Sequence, residues 1–462
     1  MNSVPTARVN AQPQLRRRLG LFTASSFVVT SMLGAGIFTT TGLMLGRLGS
    51  ESLVLLCWII GGAIALAGAL SYAELATMMP QSGAEYIYLR EIYGRPAAFL
   101  TGWTSFFVGF SAPAAASAVA CAAYLHEAGL LSGTWAAQKG LATAIVVTLT
   151  ALHYTGVRRG SRLQSILASF VVCVLVAMIF WGFLRGAGNW QFLSSSSSNF
   201  SMPGRASQLG LALLWAMFAY SGWNASAYLA EEVERPSRTL PLSLLLGTLA
   251  IALLYFAVNV FFFYAAPASA LNGQVAVGAV AVHHALGSRA ATGLALAVSL
   301  MLFATVSAYI FLGPRVYFAM ARDGLFFRFA ARIHPRFETP AFSIVVQGIC
   351  ALLMILTGTF EQLLTYIGFA LGIFPWMAVA GVILLRRRQP ARERPYRVLG
   401  YPFVPLFYLA ATAYIMGAAL VSRPLPSLLA ILTVAAGLPI YFFMERQKRS
   451  RAATNAPGLE QP

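Results

Sequence analysis

The chain has 462 residues, 58% of them hydrophobic and 10% charged, with a mean hydropathy of +0.71. About a quarter of residues are charged in soluble domains, so this composition excludes a soluble globular protein and leaves an all-α polytopic membrane protein. The net charge of +18 sits in short segments between apolar runs rather than on a folded basic surface, which removes nucleic acid from the partners.

About 20 apolar residues cross a hydrocarbon core, and runs of that kind predict twelve spans, near 21–46, 52–77, 97–125, 138–156, 163–184, 207–230, 241–265, 292–320, 341–358, 362–385, 402–421 and 426–444. Segments on the side of the N-terminus hold 26 Lys or Arg residues, whereas the other side holds only Arg47, Lys139, Arg185, Arg205, Arg289 and Arg423. Basic residues collect on the cytoplasmic face. The expectation is therefore a plasma-membrane protein with both termini cytoplasmic and an even number of spans. Residues 1–20 read as a cytoplasmic tail: Arg16-Arg17-Arg18 runs into the first span without a small-residue cleavage site.

The first span carries Val28 to Gly42, Val-Val-Thr-Ser-Met-Leu-Gly-Ala-Gly-Ile-Phe-Thr-Thr-Thr-Gly, with Gly34 and Gly36 in mid-run. An unwound turn in hydrocarbon strands main-chain polar groups, so non-helical backbone at that depth lines a cavity or a ligand. Beyond Gly36 the chain is expected to restart as a half-helix whose positive end favours a carboxylate. The competing reading is close packing of two helices on small residues. A second interruption at Ser221-Gly222 favours the first reading, because paired interrupted spans at corresponding places in two halves of a chain point to a transporter's substrate site.

Between these interruptions, Glu74 lies a turn from the cytoplasmic boundary of span two, and Gln81 to Tyr88 follows on the inside. Pro113 predicts a kink in span three. Cys57, Cys121, Cys173 and Cys350 fall within spans without paired spacing and read as small apolar residues. The run Ser194 to Ser198 is an outside loop without chemistry. Span six ends in Glu231-Glu232-Val-Glu234-Arg235, a solvated helix end or an inner gate. Between spans seven and eight, 272–286 is too short and polar to cross and predicts a re-entrant or surface helix. In span eight, Thr305 and Ser307 offer mid-depth hydroxyls, either to a cation or back to their own helix. A basic stretch from Arg386 to Pro402 separates spans ten and eleven.

The simplest partition is a core at 21–386, with repeats at about 21–185 and 207–386. Two further helices with their preceding loop occupy 387–446, and 447–462 forms a cytoplasmic tail. Five spans per half force the halves into opposite orientations, an inverted repeat.

Several stretches together resemble the amino acid, polyamine and organocation transporter superfamily, in particular its L-type-like amino acid permease branch. They are Gly34-Ala-Gly-Ile-Phe38, Tyr72-Ala-Glu-Leu75 with Pro80-Gln-Ser-Gly83 and Glu85-Tyr86, Phe218-Ala-Tyr-Ser-Gly-Trp-Asn224 with Glu231-Glu232, Gly313-Pro-Arg-Val316 with Ala319-Met-Ala-Arg-Asp-Gly324, and Arg394-Pro-Tyr-Arg397 with Gly400-Tyr-Pro402. The match runs from about residue 20 to 445. The resemblance implies a LeuT-like fold, a 5+5 inverted repeat plus two C-terminal helices, with alternating access around a midplane site. It further implies that the amides of Gly34, Ala35 and Gly36 receive a substrate carboxylate, and that carbonyls near Thr30, Ser31, Phe218, Ala219 and Ser221 receive the ammonium. Phe218 would close over the substrate and Asn224 would touch it. A zwitterion between two half-helix ends needs no charged side chain. No mid-depth carboxylate or free cation is evident, which favours neutral L-amino acids over cationic amino acids or polyamines. Relatives of this branch sometimes pair with a single-span subunit, and nothing in the chain demands one. No cofactor or metal is implied.

A membrane-embedded enzyme needs bases or ligands at depth, yet His126, His153, His283, His284 and His334 all lie at span ends or in loops. One departure from the family bears on coupling. Many relatives carry a Lys in span five, nine residues after the Arg of a Gly-x-Arg-x-Gln motif; here Gly160-Ser-Arg-Leu-Gln164 is followed at that distance by Val171, and no Lys occurs from Gly140 to Gln447. Without that fixed ammonium, either a dissolved cation binds near Thr305 and Ser307 or the carrier works as an exchanger or a proton-linked permease. The second is expected.

Overall fold

A chain inside hydrocarbon satisfies its backbone only in helices or closed barrels, and these apolar runs take the first course. The computed structural model describes residues 17, 19–81, 83–155, 160–186, 188–194, 205–322, 326–337 and 339–454. Most of the N-terminal tail, Ser82, Gly156 to Arg159, the serine run from Ser195, Asp323-Gly324 and the C-terminal tail beyond Thr454 lie outside the described residues, as do the side chains of Arg162, Gln164 and Val171. Among the described residues the regular elements are helical, and extended pairing is limited to one parallel bridge between Leu19 and Val233.

The first span is α1 (Leu21–Met32) and α2 (Ala35–Leu48), bent by 43° at their junction. Next comes α3 (Glu51–Met78), whose first turn is capped by Ser50 accepting from Leu53 N, then the short α4 (Glu85–Tyr93). The third span joins α5 (Arg95–Thr104) to α6 (Ala112–Glu127) through a π-helical turn, Ser105–Ser111. The expected kink of Pro113 takes this form: proline removes an amide from the ladder, and the preceding bonds widen, with Ala112 N and Ser111 Oγ reaching the carbonyls five residues back, Phe107 and Phe106. Then follow α7 (Trp135–Tyr154), α8 (Gly160–Leu184), α9 (Arg205–Ala219), the single turn α10 (Ala225–Tyr228) and α11 (Pro236–Ala265).

The segment expected as a surface or re-entrant helix is α12 (Ala268–Leu271) with α13 (Val277–Leu286). It docks on α2, where Gly273 N donates to Gly42 O at 2.8 Å. Gly42 permits this approach, since a Cβ there meets the Gln274 carbonyl oxygen at 2.1 Å. The chain ends in α14 (Ser288–Arg322), α15 (Ala341–Thr357), α16 (Phe360–Arg388) with a Thr359–Gln362 capping box, α17 (Phe403–Ser422) and α18 (Pro424–Thr454).

Eight described helices are long and apolar enough to cross a membrane, and the bent pair makes a ninth. The other three expected spans are helical in place but shorter: the described apolar part of α8 is Val172–Leu184, α9 stops at its break, and α15 has 17 residues. Packing follows a regular offset, with α2 against α9, α3 along α11, α6 along α14 and α7 along α15. The last two helices pack outside this arrangement, α17 on α9 and α3, α18 on α16 and α5.

Candidate functional site

The first interruption is two residues of extended backbone. Leu33 has ψ 103° and Gly34 has φ −150°, ψ −161°, so the helix restarts at Ala35, earlier than the sequence pattern suggests. The last bond of α1 is Leu33 N to Val29 O at 3.1 Å. Beyond it, among the described residues, the carbonyls of Thr30 and Ser31 accept no hydrogen bond, and the amides of Gly34, Ala35 and Gly36 donate none, as helix ends dictate.

The second interruption begins after Ala219. Ser221 N reaches Phe218 O at 3.1 Å, Gly222 turns left-handed at φ +97°, and Ala225 N returns to Gly222 O at 3.0 Å. Glycine is required at 222 on two counts: that φ disfavours any side chain, and a Cβ there lies 2.6 Å from Ser31 O. The two interruptions therefore touch. They touch again at Gly36, where a Cβ lies 2.4 Å from the Cα of Ala219 and 2.5 Å from its Cβ. Gly36 thus serves the crossing of α2 over α9, whereas a Cβ on Gly34 meets nothing within 4 Å. Of the two glycines singled out by sequence, Gly34 is the one that faces open space.

One residue that sequence reasoning missed joins both interruptions. Tyr255 of α11 is fully buried, and its hydroxyl donates to Met32 O at 2.6 Å and lies 3.4 Å from Ala219 O. It stands among Trp58 and Tyr220, with ring centroids 5.5 and 5.3 Å away, and Tyr220 in turn donates to Trp58 O at 2.9 Å. Asn259, one turn further along α11, donates to Tyr255 O at 2.7 Å and accepts from Thr41 of α2. An aromatic inside an apolar run carries no sequence signal of such a role; only the fold shows that it faces a break.

Exposure differs between the two half-helices. Phe27 and Ser31 are exposed and Thr30 and Gly34 half-buried, whereas every residue from Ala35 to Gly42 is buried. Phe218 and Ala219 are buried, and Ser221 is half-buried. Asn224, expected at the substrate, donates its amide to Glu85 Oε1 at 2.7 Å. Thr305 bonds back to Met301 O at 2.9 Å, and Ser307 meets His153 Nε2 of α7 at 2.8 Å. Residues two apart on a helix do not share a face, so the structure does not bring these two hydroxyls together.

Toward the N-terminal side two carboxylates are engaged differently. Glu74 is 1% exposed and takes a two-point contact from Arg386 of α16, at 2.9 Å and 2.5 Å, with Val398 N at 2.8 Å and Arg394 Nε at 3.4 Å. A cavity of about 200 Å³ lined by Arg386, Pro390, Arg394 and Arg397 adjoins this clasp, not the breaks. Among the described residues Glu85 has no such partner. Glu232 and Glu234 flank the bridge to the N-terminal segment, through Leu19 N to Glu232 O and Glu234 N to Leu19 O, each 3.0 Å.

Residues 19–448 match the family described as Amino acid permease. The chain is 29% identical over 447 residues to the serine/threonine exchanger SteT of Bacillus subtilis (strain 168), covering 94% of this chain and 98% of that protein. It is 30% identical over 434 residues to the human large neutral amino acids transporter small subunit 2, covering 93% and 80% respectively. To the human cystine/glutamate transporter it is 29% identical over 437 residues, covering 93% and 85%.

Proposed function

The chain belongs to the amino acid permease family, and from that premise we propose that it is a secondary active transporter, a permease or exchanger moving neutral L-amino acids across the plasma membrane by alternating access. The family and the named relatives are transporters, so the enzyme reading is set aside. The observation that carries the proposal is the contact of two broken spans, which leaves the amides of Gly34, Ala35 and Gly36 and the carbonyls of Thr30 and Ser31 without partners among the described residues. A zwitterion complements that arrangement: carboxylate at the amides of Gly34, Ala35 and Gly36, ammonium at the carbonyls of Thr30 and Ser31 with that of Ser221, and at the second lone pairs of Phe218 O and Ala219 O, which already accept from Ser221 N and Tyr255 Oη.

The partition into two inverted five-span repeats, with twelve spans in all, is supported by the packing. Spans one and six, two and seven, three and eight, and four and nine pack pairwise, as elements near a two-fold axis do with their mates. The 26-to-6 distribution of basic residues supports cytoplasmic termini. On that orientation α1 forms the cytoplasmic half of the first span, while α12 and α13 cover the outer end of α2. Reconstitution into liposomes and uptake of a panel of labelled amino acids tests the proposal: saturable uptake of neutral L-amino acids, competed by one another, is expected, and its absence across the panel refutes it.

A further inference from the structure

Glu85 is a carboxylate that the substrate site does not explain. It opens α4 behind a turn in which Gly83 has φ +111° and Ala84 φ +38°, and it is 7% exposed. Its Oε1 accepts from Tyr72 Oη of α3 at 2.8 Å and from Asn224 Nδ2 at 2.7 Å, while its Oε2 accepts from Tyr228 Oη. Asn224 and Tyr228 bracket α10, immediately beyond the glycine at the second interruption. One carboxylate thus ties α4 to span two and to the segment of span six that follows its interruption.

Every donor to this group is neutral. The titratable groups facing it are Tyr72 on α3, Tyr88 on its own helix, Tyr228 at the end of α10 and Tyr408 on α17. The basic groups of the adjoining elements lie elsewhere: on α16, Arg386 is engaged by Glu74 and Arg388 acts on Tyr93, and Arg95 at the start of α5 is exposed. Among the described residues no Lys, Arg or His forms an ion pair with Glu85. Buried carboxylates ordinarily have a cation partner or bind a proton.

We propose that Glu85 is a proton-binding site linked to the substrate site, taking up a proton from the cytoplasmic side when the box of Tyr72, Asn224 and Tyr228 closes and releasing it when the box opens to water. Protonation at Oε2 reverses one bond: the new O–H donates to the Tyr228 oxygen, whose own hydrogen must turn away, while Oε1 keeps accepting from Tyr72 and Asn224 as a neutral carbonyl. The sign follows from burial. Desolvation pushes the Glu85 carboxyl above its usual range, against the lowering effect of the bonds from Tyr228, Tyr72 and Asn224. In an opened, hydrated box the ordinary value returns. Acid therefore favours the closed arrangement, and a rise of pH through the raised value favours opening.

The inference rests on the transport reading, and exchange of labelled amino acid in proteoliposomes tests it, with internal and external pH varied together from about 5 to about 8. The wild-type rate should change across an inflection above the ordinary carboxylate range. Glu85→Gln, which keeps shape and neutral hydrogen bonding, should remove the inflection. Tyr228→Phe deletes a bond that lowers the pKa and should move the inflection to higher pH, a displacement that a merely structural role does not produce. A pH-independent wild type, an inflection that survives in Glu85→Gln, or one unmoved in Tyr228→Phe overturns the proposal. Absence of exchange at every pH refutes the transport reading itself.

Discussion

Replacing Gly36 and Gly34 by alanine, one at a time, separates packing from binding at the first interruption. A Cβ on Gly36 lies 2.4 Å from the Cα of Ala219, and carbon atoms need about 3.5 Å, so α2 and α9 must part by roughly 1 Å. Overpacking of this kind costs about 1–3 kcal/mol. Because the closest atom belongs to the main chain, no rotamer change relieves it. Ala219→Gly added to Gly36→Ala removes the 2.5 Å contact but leaves the 2.4 Å one, so it should not restore the protein. Gly34→Ala meets nothing within 4 Å, and its methyl sits beside an amide proposed to receive the substrate carboxylate. Thermal unfolding in detergent and initial uptake rates in proteoliposomes read the two effects. Gly36→Ala should lower the unfolding temperature and uptake together, whereas Gly34→Ala should unfold like wild type with a raised KM. Wild-type stability and uptake in Gly36→Ala, or a wild-type KM in Gly34→Ala, refutes this division of roles.

Tyr255→Phe removes the donor to the Met32 carbonyl; an unmade buried hydrogen bond costs about 1–3 kcal/mol, so both stability and uptake should fall, and an unchanged uptake rate would reduce Tyr255 to packing. Glu74→Gln leaves Arg386 and Arg394 without their buried counter-charge, a loss of about 3–5 kcal/mol where one partner of a buried pair is removed, visible as a lowered unfolding temperature. A reporter fused after Pro462 should be active only on the cytoplasmic side. Uptake should rise when unlabelled amino acid is loaded inside and change little when choline replaces sodium; strict dependence on external sodium would restore a cation role to Thr305 and Ser307.

The breaks were legible in the sequence because two interruptions, at Gly34 to Gly36 and at Ser221-Gly222, fall at corresponding places in two halves of the chain, whereas single mid-span glycines such as Gly61 and Gly368 stay helical. The depth of contact between the breaks was not legible, since the approach of Gly222 to Ser31 and of Gly36 to Ala219 depends on how two distant spans cross. The pattern also could not assign directions: Gly34 and Gly36 look alike in sequence but differ by what their missing Cβ atoms would meet. Pro113 signalled a distortion correctly, yet its form, a π-helical turn ahead of the proline, follows from the bonding of Ser111 and Ala112. Asn224 and Glu85 appear in separate motifs, 139 positions apart, and nothing local predicts that one amide bonds the other's carboxylate. Span count was limited for a related reason: a broken or short span such as α9 or α15 has the right composition without the length of a regular crossing helix.

The bonding at the two interruptions bears on which substrates fit. Tyr255 supplies a donor to Met32 O, Ser221 N serves Phe218 O, and Ala225 N serves Gly222 O. These bonds use up part of the polarity that the breaks release, and they do so from inside the protein, as unwound backbone in hydrocarbon requires. The remainder has both signs: among the described residues the amides of Gly34, Ala35 and Gly36 have no acceptor, and the carbonyls of Thr30 and Ser31 have no donor. A cation alone would satisfy only the carbonyls, and an anion alone only the amides. A ligand carrying both charges one carbon apart satisfies both, and its net neutrality spares the site any buried counter-charge. Thr305 and Ser307 stand outside this set, since one hydroxyl bonds back to Met301 O and the other meets His153, so the proposed zwitterion site is built from main-chain groups of the two interruptions.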